Sequence, residues 1–119
     1  MNILIVDDSK AMRMIVKRSL RQVGYPDDSM QEADNGNDAL TSIKAAKPDV
    51  VLCDWNMPGM SGIDLLKALK GDGIDVKFGF ITSIATPEIR QEAEGSGALF
   101  VIGKPFAPEK LKEALDKVL

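Results

Sequence analysis

Short apolar runs alternate with longer amphipathic stretches along the chain. Five of the runs read as strands, at roughly 2–6, 29–33, 49–54, 76–82 and 98–103, because unbroken apolar residues bounded by turn formers suit strands buried on both faces. Between them apolar residues recur at helical spacing. Met12, Ile15, Val16, Ser19, Leu20 and Val23 predict a first helix, with Gly24 placed to end it. A second runs from about Asn37 to Ala46 with a narrow inward stripe, Leu40 and Ile43, and stops before Lys47-Pro48. Ser61, with Asp64 as a capping-box variant, opens a third helix, whose Leu65, Leu66 and Leu69 face inward until Gly71-Asp72-Gly73 break it. Thr86 and Pro87 supply an N-cap and an N1 proline for a fourth, reaching about Glu94 and poor in large apolar residues. Pro108 opens a fifth, in which Leu111, Ala114, Leu115 and Val118 oppose Lys112, Glu113, Asp116 and Lys117. This alternation predicts an α/β fold with a parallel sheet covered on both faces. A chain of 119 residues without linker or repeat fits one domain, 1–119.

Charge narrows the function classes. Fifteen basic against 18 acidic residues give a net charge of −3 with no basic block, so no nucleic-acid footprint is expected. No apolar run approaches a membrane span, and a strand that starts within two residues of the N-terminus leaves no room for a signal peptide. A cytoplasmic address follows as the expectation. The lone Cys53 reads as a small buried hydrophobe. The absence of histidine matters most, because it excludes Ser-His-Asp and Cys-His constellations, zincin motifs and a phosphohistidine made on this chain. Chemistry here must use carboxylates, lysine, hydroxyls and a metal.

Those groups sit where strands end. Asp54 follows Val50-Val51-Leu52-Cys53, Asp7 and Asp8 follow Ile3-Leu4-Ile5-Val6, Thr82 ends the fourth strand with Ser83 beside it, and Lys104 follows the fifth. Each alone has a plain reading: a capped loop at Asp7-Asp8-Ser9, a surface lysine before a turn, a β-branched strand residue. Chance would scatter them to both sheet edges, so their shared placement points to the ligand rim of an α/β domain. Three carboxylates gathered there would repel and take up a proton or a cation. All-oxygen ligands favour magnesium, or manganese in its place, over zinc. Asp7, Asp8 and Asp54 carry −3, which one divalent ion and Lys104 neutralise. Metal and lysine lower the charge barrier to a phosphoryl group, with Asp54 as nucleophile, the Thr82 hydroxyl placed to follow a new phosphoryl oxygen and Ser83 offering a backbone N–H or hydroxyl beside it.

With Asp7-Asp8-Ser9, the Asp54-Trp55-Asn56-Met57-Pro58-Gly59 block, Thr82-Ser83, Gly97-Ala98 and Lys104-Pro105-Phe106 in place, the chain resembles the receiver domain of two-component response regulators, most closely the stand-alone, CheY-like chemotaxis type. The resemblance spans nearly the whole chain. It implies a flavodoxin-like, doubly wound five-stranded sheet in order 2-1-3-4-5 with five helices, and a signalling module that catalyses only its own phosphorylation and dephosphorylation. By that resemblance Asp54 accepts phosphate from a sensor histidine kinase, Asp8 and Asp54 ligate magnesium, Asp7 holds a metal-bound water, and the Asn56 main-chain carbonyl completes the protein ligands. Lys104 pairs with the phosphoryl group and Thr82 moves towards it. Asn56 stands where relatives tune attack of water on the phosphoaspartate, a plain loop amide being the alternative. Pro105 is expected after a cis bond. Implied partners are the kinase, a downstream protein such as a flagellar motor switch or a phosphotransfer protein, and a phosphatase; no nucleic acid or membrane is implied, and a monomer is expected.

Two features depart from this pattern. Relatives place an aromatic residue three positions before the lysine, where this chain has Val101, with Phe100 one position earlier. Strand alternation then turns Phe100 to the opposite face unless a bulge, for instance at Gly103, corrects the register. Gly79, inside a strand, has no role readable from the sequence. The output surface is expected on the fourth helix, fifth strand and fifth helix, with Arg90, Glu94, Lys110 and Lys112 exposed. Kinase docking is expected around Lys10, Met12 and Arg13. Trp55 reads as a rim residue beside the site. Competing functions are a phosphorelay intermediate, a haloacid-dehalogenase-type magnesium phosphatase, which would need an Asp at position 56, and a flavodoxin-like binder, which would need a phosphate-cradling loop in place of Asp7-Asp8.

Overall fold

The computed structural model describes residues 1–119. Strands β1 (Ile3–Val6), β2 (Met30–Ala33), β3 (Val50–Cys53), β4 (Lys77–Thr82) and β5 (Phe100–Gly103) alternate with helices α1 (Lys10–Gln22), α2 (Gly36–Ala45), α3 (Gly62–Gly71), α4 (Pro87–Gly95) and α5 (Pro108–Val118). All strand pairs are parallel, and the sheet order is β2-β1-β3-β4-β5. This is the expected doubly wound arrangement. Each expected strand is present, trimmed by one or two residues at most ends.

The sheet splits the interior into two cores. On one face Leu4, Val6, Val51, Cys53, Phe78, Phe80 and Val101 pack under α2, α3 and α4. On the other Ile3, Ile5, Val50, Leu52, Ile81 and Ile102 meet Val16 and Leu20 of α1 and Leu111 and Leu115 of α5. Alternate residues of the inner strands β1 and β3 thus serve opposite cores, which is why both are apolar at every position, whereas the edge strand β2 exposes Gln31 and Glu32. Ile15 departs from its expected inward position, being 44% exposed. Residues 15 and 16 lie more than a quarter of a turn apart around a helix, and only the narrower Val16-Ser19-Leu20 stripe is buried against the sheet.

Four of the five helices are capped by side chains on the loops that leave the strands: Ser9, Asn35, Ser61 and Thr86 accept from the N–H groups of Met12, Asp38, Asp64 and Ile89. Each such cap is worth about 1 kcal/mol and fixes where its helix begins. Thr86-Pro87 and Ser61 act as expected, while α2 starts at Gly36, one residue before the expected Asn37, because Asn35 is the cap.

Gly79 gains a structural reason. It pairs in register with Phe100, and a Cβ at Gly79 would overlap Cε1 and Cζ of the Phe100 ring. The ring lies across the glycine, half-buried against the α1/α5 core, while Val101 points to the other core. No bulge interrupts the β4–β5 register from Gly79↔Phe100 to Thr82↔Gly103, so the aromatic residue stays on the face that alternation predicts.

Candidate functional site

The sheet register assembles the site. Val6 pairs with Cys53, so Asp7 and Asp54 leave neighbouring strands at the same level, and Asp54 N–H donates to Val6 O at 2.9 Å. Thr82 pairs with Gly103, and Lys104 N–H donates to Thr82 O at 2.8 Å, which sets Lys104 above the same rim. The Lys104-Pro105 peptide is cis, as the resemblance implies.

Carboxylate oxygens of Asp7, Asp8 and Asp54 all lie within 4.8 Å of one another. Lys104 Nζ stands between two of them, 3.0 Å from Asp7 Oδ2 and 3.5 Å from Asp54 Oδ1. Asp7 is buried, 4% exposed, and its Oδ1 accepts from Ser9 N–H at 2.9 Å. Asp54 is half-buried, with Oδ1 accepting from Trp55 N–H at 2.8 Å. Burial raises the Asp54 carboxyl above its ordinary range; Lys104 counteracts this, and the charge of Asp7 adds to it. Burial also pushes the Cys53 thiol well up, aided by the charges of Asp54 and Asp7, so Cys53 is a buried hydrophobe as expected.

This donor set fits a hard divalent cation. One lysine leaves three close carboxylates over-negative by two charges, the donors are oxygens, and Asp8 lies on the exposed side, where an ion can enter. The arrangement can therefore gather a cation, a carboxylate nucleophile and an ammonium group around one phosphoryl-sized anion.

Approach to Asp54 from behind is set by Gly62. Its N–H donates to Trp55 O at 2.9 Å, and a Cβ there would overlap Asp54 O and come 2.8 Å from Phe80 Cε1. The first turn of α3 can thus lie directly against the strand end. Trp55 corrects the expected rim position: it is 7% exposed, its ring 4.8 Å from that of Phe80 in the α2/α3/α4 core. An indole offers enough apolar area to be drawn under the loop, while its backbone N–H still serves Asp54.

The remaining expected residues are less tightly gathered. Thr82 is buried with Oγ1 accepting from Ile84 N–H at 3.2 Å, whereas Ser83 and Asn56 are exposed on the flanking loops. Arg13, expected within the kinase-docking surface, is half-buried: Nη1 donates to Asp7 O at 2.7 Å and Nε to Glu32 Oε1 at 2.9 Å. Sequence reasoning missed Arg13, Gly62 and the Ser9 N–H as supports of the site. Only their fixed offsets from Asp7 and Asp54 could have signalled them.

The family description for the response regulator receiver domain matches residues 3–116. The chain belongs to this family. It is similar to chemotaxis protein CheY-3 of Vibrio cholerae, 47% identical over 99% of this chain and 91% of that protein. It is also similar to chemotaxis protein CheY of Pseudomonas aeruginosa, 39% identical over 99% of this chain and 95% of that one. Among solved structures, Vibrio cholerae CheY4 superposes with a TM-score of 0.87 at 34% identity, covering 99% of this chain and 98% of the other. The receiver domain is thus a phosphorylation-activated response regulator, a signalling protein whose acidic group can hold a metal. No helix is long and apolar enough to cross a membrane.

Proposed function

We propose that this receiver is a single-domain chemotaxis regulator that takes phosphate on Asp54 from a histidine kinase and signals by changed protein binding. The observation that carries the reading is the convergence of Asp7, Asp8 and Asp54 with Lys104 between them. The Asp54 carboxylate attacks the phosphorus of a phosphohistidine. The P–N bond breaks, and its electron pair returns to the imidazole, which takes a proton. Asp8, Asp54 and the Asn56 carbonyl would hold magnesium directly and Asp7 through water; the bound ion supplies charge neutralisation at the phosphoryl oxygens. Lys104 would exchange its Asp7 contact for the phosphoryl group, and the Thr82 hydroxyl would leave Ile84 N–H for a phosphoryl oxygen, with Ser83 beside it.

Chemotaxis enters from the names of the relatives above, and a flagellar motor switch protein is the downstream partner that fits them. Its docking face would be the groove of about 300 Å³ between α4, β5 and α5, lined by Arg90, Glu94, Phe100 and Lys110. Phosphorylation then needs to shift the binding equilibrium by only about 1–3 kcal/mol.

The test uses Trp55, whose N–H is bonded to Asp54. Beryllium fluoride, a phosphoryl mimic, should change Trp55 fluorescence only when magnesium is present. An unchanged signal alongside normal magnesium binding would remove Asp54 as acceptor. A pull-down with and without the mimic should recover a motor switch protein preferentially with it; recovery of a phosphotransfer protein instead would make the chain a relay intermediate.

A further inference from the structure

Asp7 is held at every polar group it has. Its N–H donates to Ala33 O at 3.2 Å, Oδ1 accepts from Ser9 N–H, Oδ2 accepts from Lys104 Nζ, and its carbonyl accepts from Arg13 Nη1 at 2.7 Å. The last of these bonds differs in kind from the others. The Asp7 carbonyl belongs to the same rigid amide plane as the Asp8 N–H, so whatever fixes that oxygen also fixes the direction in which the chain carries Asp8. Asp8 is exposed and gains no positioning from surrounding core. Its carboxylate can meet those of Asp7 and Asp54 only if the plane before it is held.

Arg13 is built to hold it. Its guanidinium spans two strands, reaching the end of β1 through Nη1 and Glu32 on β2 through Nε, and its side chain is only 14% exposed. Lys17, one turn further along α1, donates to the other oxygen of Glu32 at 3.2 Å, so the anchor is itself anchored. A lysine at position 13 would keep the charge but has one nitrogen, and cannot serve the carbonyl and Glu32 in the fixed directions of a planar fork. We propose that Arg13 is a positioning residue for the divalent cation: braced on Glu32, it holds the Asp7–Asp8 peptide plane so that the Asp8 carboxylate faces the site shared with Asp7 and Asp54. The inference rests on the magnesium reading above.

Charge and position predict opposite signs here, which makes the inference sharp. Arg13 is a cation bonded to the backbone of Asp7, and as a charge it repels an incoming metal. If charge were its whole effect, removing it would tighten magnesium binding and replacing it by lysine would change little. If it positions Asp8, both changes weaken binding, by about 10-fold for a support behind the ligands themselves.

The experiment is a magnesium chloride titration followed by Trp55 fluorescence, without phosphoryl donor, on the wild type, Arg13→Lys, Arg13→Met, Glu32→Gln and Asp8→Asn, with urea midpoints checking that each is folded. The wild type should show a saturable response that Asp8→Asn removes. Arg13→Lys and Arg13→Met should each bind about 10-fold more weakly, with Glu32→Gln weaker than wild type but less affected. In the metal-free state the Asp8 amide resonance should move in Arg13→Lys. Folded Arg13 variants that bind as well as or better than wild type overturn the inference while leaving the magnesium reading intact. A wild-type response that is absent, or that survives Asp8→Asn, overturns both. Should Arg13→Met fail to fold, Arg13→Lys alone decides.

Discussion

At the proposed acceptor end of the receiver, side-chain pairs join the strand ends in addition to bonds with backbone, whereas at the proposed transmission end the joining bonds run from side chain to backbone. At the acceptor end Asp7 and Asp54 each accept from a backbone N–H, and Lys104 in addition ties the two side chains together, with the three carboxylates crowded beside it. At the transmission end side chains are tied to backbone. Thr82 Oγ1 accepts from Ile84 N–H, and Arg90 Nη1, from α4, donates to Val101 O at 2.8 Å. A side-chain pair demands two particular residues, whereas a backbone group serves any partner of the right polarity and reach. On the proposed function, phosphoryl chemistry would restrict Asp7, Asp54 and Lys104 tightly, while the path leading away from them would tolerate rebuilding with different residues.

The largest effect that would break this contrast is at Asp54. Asp54→Asn keeps the shape and the Trp55 N–H contact but removes the nucleophile, so incorporation of labelled phosphate from acetyl phosphate should fall to background. Retention of full acid- and base-labile labelling would mean that another carboxylate of the cluster suffices, and that the acceptor end is no more specific than the other.

Next in size is the Gly79–Phe100 pair, where the transmission end departs from the usual aromatic position. Gly79→Val places a side chain where the ring lies and should destabilise the fold by about 1–3 kcal/mol, as overpacking does. Combining it with Phe100→Leu should recover much of that loss in urea denaturation, because the two side chains compete for one space. Strictly additive effects would show that the ring moves away freely. Phe100→Leu alone should leave the Trp55 response to beryllium fluoride intact, since the ring packs towards the α1/α5 core, away from Trp55. Loss of that response would make Phe100 part of the switch.

Arg90 supplies a smaller test. Arg90→Met retains the apolar stem but leaves Val101 O without its donor, an expected loss of about 1 kcal/mol for one hydrogen bond. The more telling measurement is partner affinity with and without the phosphoryl mimic. A ratio equal to that of the wild type would show that the α4–β5 bridge carries no signal.

The same contrast explains what could be read from the sequence. Strands buried on both faces announce themselves as apolar runs, and caps such as Ser61 and Thr86 announce helix starts, so the layer order and the level at which Asp7, Asp54, Thr82 and Lys104 emerge were legible. Phe100 was legible in its face, because alternation along β5 holds without a bulge. Its packing on Gly79 was not, since cross-strand register between β4 and β5 depends on tertiary pairing that a single sequence does not display. The burial of Trp55 and the bracing of Arg13 were hidden for a related reason. Amphipathic side chains on a loop and on a first helical turn suit either solvent or interior, and the choice lies with neighbours such as Phe80 and Glu32.

Glu32 gives the finest test, because it lies behind the acceptor end yet is linked to it only through Arg13. Partial burial would raise its carboxyl, but hydrogen bonds from Arg13 and Lys17 outweigh this and hold it below the ordinary glutamate range. A lowered folded-state pKa means that the unfolded chain binds the proton more readily. The stabilisation is then fully present above the unfolded value and is lost as pH falls through the folded one. With its side chain 35% exposed, solvent screens the interaction, so Glu32→Gln should cost only about 0.5 kcal/mol at neutral pH. The difference from wild type should shrink to nothing in acid, once both chains are uncharged at this position. A deficit that persists below the carboxylate range would instead be one of packing, and would separate Glu32 from the charge network that steadies Arg13.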